Sequence, residues 1–314
     1  MSIGDVFAGL FRASTEKNNI IIQNIRLPRA IGGLIAGIAL GATGLIMQTN
    51  LNNDMASPGT LGVSNAAVLG ANIAIIILNG GIVETNNGNN FTITNYYFVT
   101  FFAFIFSLLA IFIVLLLSNV RTFNTNTVIL IGVGLSSIFT AITTLIQYFA
   151  VDVKLSAAVY WSFGDLSRVT MKDNLFLAII VVLAFVFLMF LTPKYNAMLG
   201  GDDISLSLGV KVKTIRVVSL IVSSLVTAAV VSFFGVIGFV GIMAPHITKR
   251  IIGNDHRFLL PGSAIIGILL IEFADIISRL IMSGTSLPVG AVTAILGAPF
   301  FIFIVFTRSN KNYA

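Results

Sequence analysis

The stretch FVTFFAFIFSLLAIFIVLLL (98–117) decides the fold class of this chain. It carries no charged side chain, and it is as long as an α-helix that crosses the hydrocarbon core of a bilayer, about 20 residues. Its apolar residues are continuous, whereas the strands of a membrane barrel alternate apolar and polar residues. The stretch therefore predicts a transmembrane α-helix.

Apolar runs of this kind recur along the whole chain. With 57% hydrophobic and 10% charged residues and a mean hydropathy of +1.01, the chain is too apolar for a water-soluble domain. We predict an all-α polytopic membrane protein, a bundle of nine transmembrane helices that forms one domain over 1–314. The predicted crossings lie near 28–47, 61–79, 97–119, 127–150, 174–192, 217–233, 235–247, 259–281 and 288–306.

The composition also excludes several classes of function. The chain contains no cysteine, so disulfides and thiolate metal sites are excluded. No GxxxxGK[ST] motif is present, so we expect that this chain does not itself bind and hydrolyse ATP by that route. His246 and His256 lack the further ligands of a zinc site. The basic residues are scattered between apolar runs, which indicates membrane topology and no nucleic-acid partner.

The basic residues of the loops set the predicted orientation. With the C-terminus in the cytoplasm, Lys and Arg exceed Asp and Glu on the cytoplasmic side and only balance them outside, as the positive-inside rule requires. Nine crossings then leave residues 1–25 as an external N-terminal segment. A translocated start of this kind is unusual, and a missing helix before it is the alternative.

Few charges fall inside the predicted helices. Glu272, Asp275 and Arg279 share one helix face, and Asp275 and Arg279 have the i,i+4 spacing of an ion pair. The pair either stabilises a helix end or belongs to an ion-coupled carrier, which normally has ionisable groups near the midplane. A carrier driven by an ion gradient therefore stays an alternative. A protease that pairs the aspartates of GGDD (200–203) with Asp275 is disfavoured, because the topology places them at opposite membrane faces.

Glycines and alanines recur at helical spacing in two helices. Gly33, Gly37 and Gly41 lie on one face, and a similar face follows Gly290. Small residues let helix backbones approach closely inside a membrane. We expect close packing on these faces.

Two polar segments on the predicted cytoplasmic side stand out. KYNAMLGGDDISLSLGVKVKTIR (194–216) carries apolar residues at Leu199, Ile204, Leu206 and Leu208, followed by Gly209. It predicts a short helix outside the membrane, ended by glycine, that either rests on lipid or docks into another protein. Its two acidic residues disfavour an anionic membrane surface, so we favour docking. In GFVGIMAPHITKRIIGNDHRFLLPG (238–262), we expect Pro245 to close a helix and a basic cluster to follow.

The succession IRLPRAIGGLIAGIALGATGLIMQ, ASPGTLGVSNAAVLGA, LGGDDISLSLGV, GFVGIMAPHITKRIIGNDHRFLLPG, ADIISRL and LPVGAVTAILGAPFFIFI resembles the FecCD-type permeases. These are the membrane subunits of ABC importers for iron siderophores, haem and cobalamin. The resemblance runs over nearly the whole chain. It implies a non-enzymatic transport subunit in the cell membrane of a prokaryote that binds no cofactor itself, and a ferric siderophore is the ligand we expect.

The resemblance also implies partners. Family members form a homo- or heterodimer of permeases with two cytoplasmic ATP-binding subunits, which use the ATP, and an extracytoplasmic substrate-binding protein. They have ten helices, and the first has no counterpart in this chain. We therefore expect either that the chain starts inside a longer product or that this homologue lacks that helix.

Site residues follow from the resemblance position by position. The segment 194–216 corresponds to the element that couples the permease to its ATPase, with Asp202, Asp203, Leu208 and Gly209 as its key positions. Thr125 and Asn126 fall at the cytoplasmic gate, where they differ from the Thr-Ser pair of related permeases. Arg26, Arg29 and Arg279 fall where family members present arginines to glutamates of the binding protein.

Overall fold

The structure of this chain is a computed structural model and describes residues 16–80, 82–84, 91–93, 95–119, 125–281 and 287–309. It is built almost entirely of helices. The α-helices are α1 (Glu16–Ile21), α2 (Leu27–Leu51), α3 (Val63–Asn72), α4 (Tyr96–Asn119), α5 (Thr125–Tyr148), α6 (Asp152–Ser162), α7 (Met171–Phe190), α8 (Thr192–Met198), α9 (Asp202–Ser207), α10 (Val212–Phe234), α11 (Val240–Ile252), α12 (His256–Leu280) and α13 (Val289–Ser309).

Short irregular helices extend several of these elements. Single π-helical turns, Ile22–Arg26 and Ile73–Ile77, join α1 to α2 and lengthen α3, and 3₁₀ turns lie at Pro58–Leu61 and Leu166–Arg168. The all-helical prediction is confirmed except for a small antiparallel hairpin between β1 (Ile82–Glu84) and β2 (Phe91–Ile93), in which Val83 pairs with Thr92.

Six helices in the described residues are long and apolar enough to cross a membrane. They are Lys17–Leu51, Tyr96–Ser118, Thr125–Tyr148, Met171–Phe190, Val212–Phe234 and His256–Leu280. The stretch 98–117 lies inside the second of them, as predicted. Val63–Ile77 and Val289–Phe300 are shorter apolar helices. The polytopic helical bundle is confirmed, and the count of nine crossings stays a prediction.

Helix α2 is the central element of the bundle. It packs against α7, α10, α11 and α12, and its small residues make the close contacts that the glycine spacing predicted. A Cβ on Gly41 would lie 2.9 Å from the carbonyl carbon of Ser263, and one on Gly37 would lie 2.8 Å from that of Gly267. Because backbone cannot move aside as a side chain can, any larger residue at these positions would push α2 and α12 apart.

Helices α5 and α7 lie at the periphery. In the most apolar stretch of 18 residues, only 17% of the residues are buried in α5 and 28% in α7, against 78% in the helix that ends at Leu51. A spanning helix with so little internal contact faces lipid, another chain or an aqueous path. The two exposed faces of α5 differ in chemistry, since one carries hydroxyl groups and the other apolar side chains.

One expectation about helix ends is wrong. Pro245 lies inside α11 and does not close a helix. Proline removes one hydrogen bond to the carbonyl four residues earlier, here that of Gly241. Gly241 packs on Leu40 and Gly44 of α2, and this tertiary packing holds α11 in place without that bond. The irregular segment lies before the helix, over residues 235–239.

Candidate functional site

The segment 194–216 forms two short helices and a turn at one end of the bundle. Helix α9 begins after Gly201 and is followed by Gly209 in the left-handed conformation, with φ +78°. Only glycine adopts this conformation without strain, so the predicted glycine stop is confirmed. Apolar side chains around α9 are more than half exposed; they are Leu199, Ile204, Leu206 and Leu208.

Helix α9 is anchored to the bundle through its polar residues. Both carboxylate oxygens of Asp202 accept hydrogen bonds from Arg216, at 2.7 and 2.8 Å. One turn further along the helix, the buried hydroxyl of Ser205 donates to the carbonyl oxygens of Ala197 and Gly201. Asp203 is exposed. The polar side of α9 therefore holds the helix down while its apolar side chains point away from the bundle.

A hydrogen-bonded link connects α8 to the membrane-spanning helices. The side-chain oxygen of Asn196 accepts from the backbone N–H of His256 at 2.8 Å and from its Nδ1 at 2.9 Å. This leaves Nε2 of His256 to accept from the hydroxyl of Thr49, 2.8 Å away on α2. We call these three residues the Asn196–His256–Thr49 link. It joins α8, α12 and α2 at one point, with His256 almost fully buried.

Neighbouring groups reinforce this point. Asn196 also donates to Asp255 at 2.6 Å. The backbone N–H of Arg257 and the Asn196 amide hold the pKa of the Asp255 carboxyl below its ordinary value, so this helix cap stays ionised. Burial raises the pKa of Tyr195, whose hydroxyl lies 2.7 Å from that of Ser219 on α10. Tyr195 is therefore neutral and fixes α8 to a fourth element.

Three charged side chains converge at the opposite end of the bundle. Asp275 of α12 binds Nε of Arg29 at 2.7 Å and Nη2 of Arg279 at 2.8 Å. The Asp275 side chain is 2% exposed, that of Arg29 10% and that of Arg279 44%. The i,i+4 pair that the sequence predicted is present, and Arg29 completes it from α2. We call the three residues the Asp275 cluster.

The three arginines that the resemblance assigned to docking have different surroundings. Arg26 ends the π-helical turn before α2 and is exposed, and Arg279 is partly exposed. Arg29 is buried, and it also donates to Ser278 at 3.4 Å. In this conformation Arg26 and Arg279 can reach a partner surface, while Arg29 is directed into the bundle. The sequence missed this difference, because the partner of Arg29 lies 246 residues away.

The proposed gate residues lie at the start of α5. Thr125 is partly exposed and Asn126 is exposed, and both lie in the first turn of that helix. The turn before them, residues 120–124, lies outside the described residues. The structure thus places both side chains at one end of the peripheral helix, where a path along α5 would begin or end.

These arrangements support binding and movement better than covalent chemistry. Within the described ranges no group of three His, Cys, Asp or Glu side chains could hold a metal ion. The structure instead provides a bundle of long apolar helices, a short helix with exposed apolar side chains at one end and a charged cluster at the other. Together these features define a multi-pass membrane protein.

The sequence profile of the FecCD transport family matches residues 1–307, and the chain belongs to that family. A Methanocaldococcus jannaschii protein described as an ABC transporter permease is 41% identical over 97% of this chain and 87% of its own. A Bacillus subtilis protein described as a siderophore transport system permease is 33% identical (98% and 88%). The vitamin B12 import permease of Shigella boydii is also 33% identical (97% and 87%).

A solved structure has the same fold. It is described as an inward-facing conformation of a metal-chelate type ABC transporter, and it superposes with a TM-score of 0.82 at 26% identity over 97% of this chain and 96% of its own. With the six spanning helices, these similarities make this chain a multi-pass permease of the cell membrane in the ABC importer class. The relatives are transport subunits, consistent with a subunit that performs no catalysis.

Proposed function

We propose that this chain forms the translocation pathway of an ATP-driven importer for an iron chelate, with a ferric siderophore as its substrate. It works as a dimer of permeases with two ATP-binding subunits below the membrane and a substrate-binding protein above it. The chain itself binds no cofactor, and the ATP is used by the partner subunit. Membership of the FecCD family supports this proposal, and relatives described as siderophore and metal-chelate transporters support the substrate class.

The single observation that supports a role in coupling is the set of exposed apolar side chains on α9 and at its end. Ile204, Leu206 and Leu208 are 55%, 59% and 65% exposed, in a helix outside the spanning segments. Exposed apolar side chains on an anchored short helix are typical of a surface that inserts into a groove on another protein. In the predicted topology this end of the bundle faces the cytoplasm, where an ATPase would be.

The Asn196–His256–Thr49 link explains how a movement of α9 would be transmitted to the membrane-spanning helices. An ATPase that changes shape moves the segment it holds, and the spanning helices follow if the connection is stiff. Side-chain hydrogen bonds across three elements provide such a connection. Alternating access then requires rigid-body motion of packed helices and no chemistry in the permease.

At the other end, Arg26 and Arg279 give the permease exposed positive charge toward the proposed binding protein. Positive charge at a docking surface steers an acidic partner and fixes its register. The expectation that Arg29 also contacts the partner would require Arg29 to leave Asp275. We propose that Arg29 supports the docking surface from below in the state described here.

The proposal is tested by reconstitution. The full chain is purified from its native membranes with its bound subunits, placed in liposomes and supplied with radiolabelled ferric trihydroxamate, ferric tricatecholate or cyanocobalamin, with the binding protein added outside. We expect ATP-dependent accumulation of an iron chelate. Uptake driven by an ion gradient without any ATP-hydrolysing subunit would overturn the proposal in favour of a secondary carrier.

Leu206→Asp tests the coupling surface directly. A charge in place of this exposed apolar side chain should weaken ATPase binding at least tenfold and abolish substrate-stimulated ATP hydrolysis, while the thermal stability of the permease stays unchanged. Ser207→Asp is the matched control, since it adds the same charge at the next residue, which is exposed and already polar. Equal loss in both variants, or in neither, would count against the assignment.

A further inference from the structure

Two irregular backbone segments meet in the interior of the bundle. One contains the 3₁₀ turn Pro58–Leu61 before α3, and the other is residues 235–239 between α10 and α11. Pro58 lies beside Gly241, which packs on Leu40 and Gly44 in the spanning helix α2. Both segments therefore lie at membrane depth. Irregular backbone is tolerated there only where it is enclosed by protein or faces a water-filled cavity.

The peripheral helix α5 has two exposed faces of opposite chemistry. Ser137, Thr140 and Thr144 are exposed and share one face through i, i+3 and i+7 spacing. Ile138, Ile142 and Leu145, at i, i+4 and i+7, lie on a second exposed face. Apolar side chains are suited to lipid or to a second chain, whereas a row of hydroxyl groups on a spanning helix indicates an aqueous or ligand-contacting surface.

The hydroxyl face and the two irregular segments line one cavity of about 690 Å³ that is widely open on one side. This volume falls in the range of small-molecule sites, roughly 300–1,000 Å³. Its polar lining comes from Ser57, Thr60, Asn65, Ser136, Ser137 and Thr140. Among the described residues that line it, none is charged.

The hydrogen bonds of the lining fix what it can offer a ligand. The hydroxyls of Ser136, Ser137 and Thr140 donate to backbone carbonyls of their own helix, at 2.8, 3.1 and 2.8 Å, and that of Thr60 donates to the carbonyl of Ser57 at 2.7 Å. These four protons are used, and each of the four oxygens keeps a lone pair as an acceptor, although that of Thr60 also accepts from the backbone N–H of Ser57. Asn65 adds a side-chain amide to the lining. The cavity therefore suits a ligand whose surface carries N–H or O–H donors.

Backbone strain at the cavity wall is a second, independent sign of a site. Phe239 has φ +65°, which is rare for a bulky residue. Strained residues of this kind cluster at ligand sites, where the surroundings hold them. Phe239 lines the cavity at the end of the irregular segment and packs against Gly297 of α13.

We infer that this cavity is a substrate-contacting station on the translocation path, and that it accepts a neutral metal chelate with amide or hydroxyl donors on its surface and disfavours a polyanionic one. The inference rests on the proposed function and specifies its substrate. Four neutral acceptors give contacts that orient a chelate. They supply no cation to hold a trianionic ferric tricatecholate, and weak contacts suit a path that must also release its cargo.

Thiol labelling can test the station because the chain has no cysteine of its own. Ser137→Cys and Thr140→Cys place a thiol in the cavity, and Ile138→Cys and Leu145→Cys are matched controls on the apolar face of the same helix. Each variant of the full importer in liposomes is treated with a charged, membrane-impermeant thiosulfonate. We expect the cavity thiols to react at least tenfold faster than the controls.

The ligand class is tested with three probes, ferric trihydroxamate (neutral), ferric tricatecholate (trianionic) and cyanocobalamin, which bears amides. We expect a neutral or amide-bearing probe to slow labelling of the cavity thiols at least threefold, and ferric tricatecholate to slow it less. Equal labelling rates on both faces, protection by no probe, or strongest protection by ferric tricatecholate would each overturn the inference. Failure of the unsubstituted importer to transport any probe would overturn the proposed function instead, since the labelling rates are measured independently of transport.

Discussion

The two ends of the bundle contain ion pairs of the same length whose carboxylates have opposite surroundings. Arg29–Asp275 and Arg216–Asp202 are both 2.7 Å long. The two arginine side chains are similarly buried, at 10% and 13% exposed, but the Asp275 side chain is 2% exposed and that of Asp202 is 53% exposed. Water reaches the carboxylate of the second pair and not that of the first, so the cost of replacing the carboxylate differs severalfold. Burial, more than distance, therefore decides what each pair does.

The comparison predicts its largest effect at Asp275. Asp275→Asn leaves two guanidinium groups without their carboxylate inside the bundle, and we expect a loss of about 3–5 kcal/mol in the free energy of unfolding. Thermal unfolding in mild detergent measures it. Arg279→Gln is the matched variant, because it removes the more exposed partner and leaves Arg29–Asp275 intact, so it should cost at most about 1 kcal/mol. Equal losses would show that the cluster is not organised around the buried pair.

A second prediction concerns the Asn196–His256–Thr49 link, which has no ion pair and is centred on the buried His256. Asn196→Ala leaves both the ring and the backbone N–H of His256 without an acceptor, at an expected cost of about 1–3 kcal/mol. The variant should still bind the ATPase through α9, but it should hydrolyse ATP with reduced uptake per ATP. If uptake per ATP equalled that of the unsubstituted importer, α8 would transmit movement by another route, such as the Tyr195–Ser219 contact.

Replacing the exposed charge of Arg26 should change the rate of association with the binding protein and leave the stability of the permease nearly unchanged. Arg26→Glu should slow association with the binding protein about tenfold at low salt, and the difference should shrink near 1 M salt, where the Debye length falls to about 3 Å. Lys172→Glu on α7 makes the same change of net charge at another exposed position and separates local docking from overall charge. Stopped-flow association over a salt series checks this prediction, and the same slowing in both variants would refute a specific role for Arg26.

Sequence reasoning was accurate wherever the cause is local. The apolar run 98–117 predicted its helix because length and hydropathy alone decide it. Gly209 predicted the end of α9, since glycine adopts the left-handed conformation that stops a helix. The glycine spacing predicted close packing of α2, because any bulk on that face would separate the helices.

Features set by distant residues could not be predicted in this way. Arg29 was expected at a docking surface, yet Asp275, 246 residues away, draws it into the bundle. Asn196 and His256 are 60 residues apart, and no spacing rule relates them. Pro245 was expected to close a helix, a sound local rule that packing on α2 overrides. The spacing of Ser and Thr residues in the sequence is enough to predict the hydroxyl face of α5. It does not predict the irregular segments that complete the cavity.

The smallest predicted effect is also the sharpest check on the comparison. Asp202→Asn keeps the shape of the side chain and removes the charge that Arg216 faces, at a site open to water. We expect a stability change of about 0–1 kcal/mol, because the amide oxygen of the variant still accepts a hydrogen bond from Arg216 and water reaches this half-exposed side chain. ATP-coupled uptake should fall by less than twofold, since Ser205 still anchors α9 through two carbonyls. A stability loss as large as that of Asp275→Asn would mean that an ATPase or lipid already shields this end, and that burial in the isolated chain does not rank the two pairs.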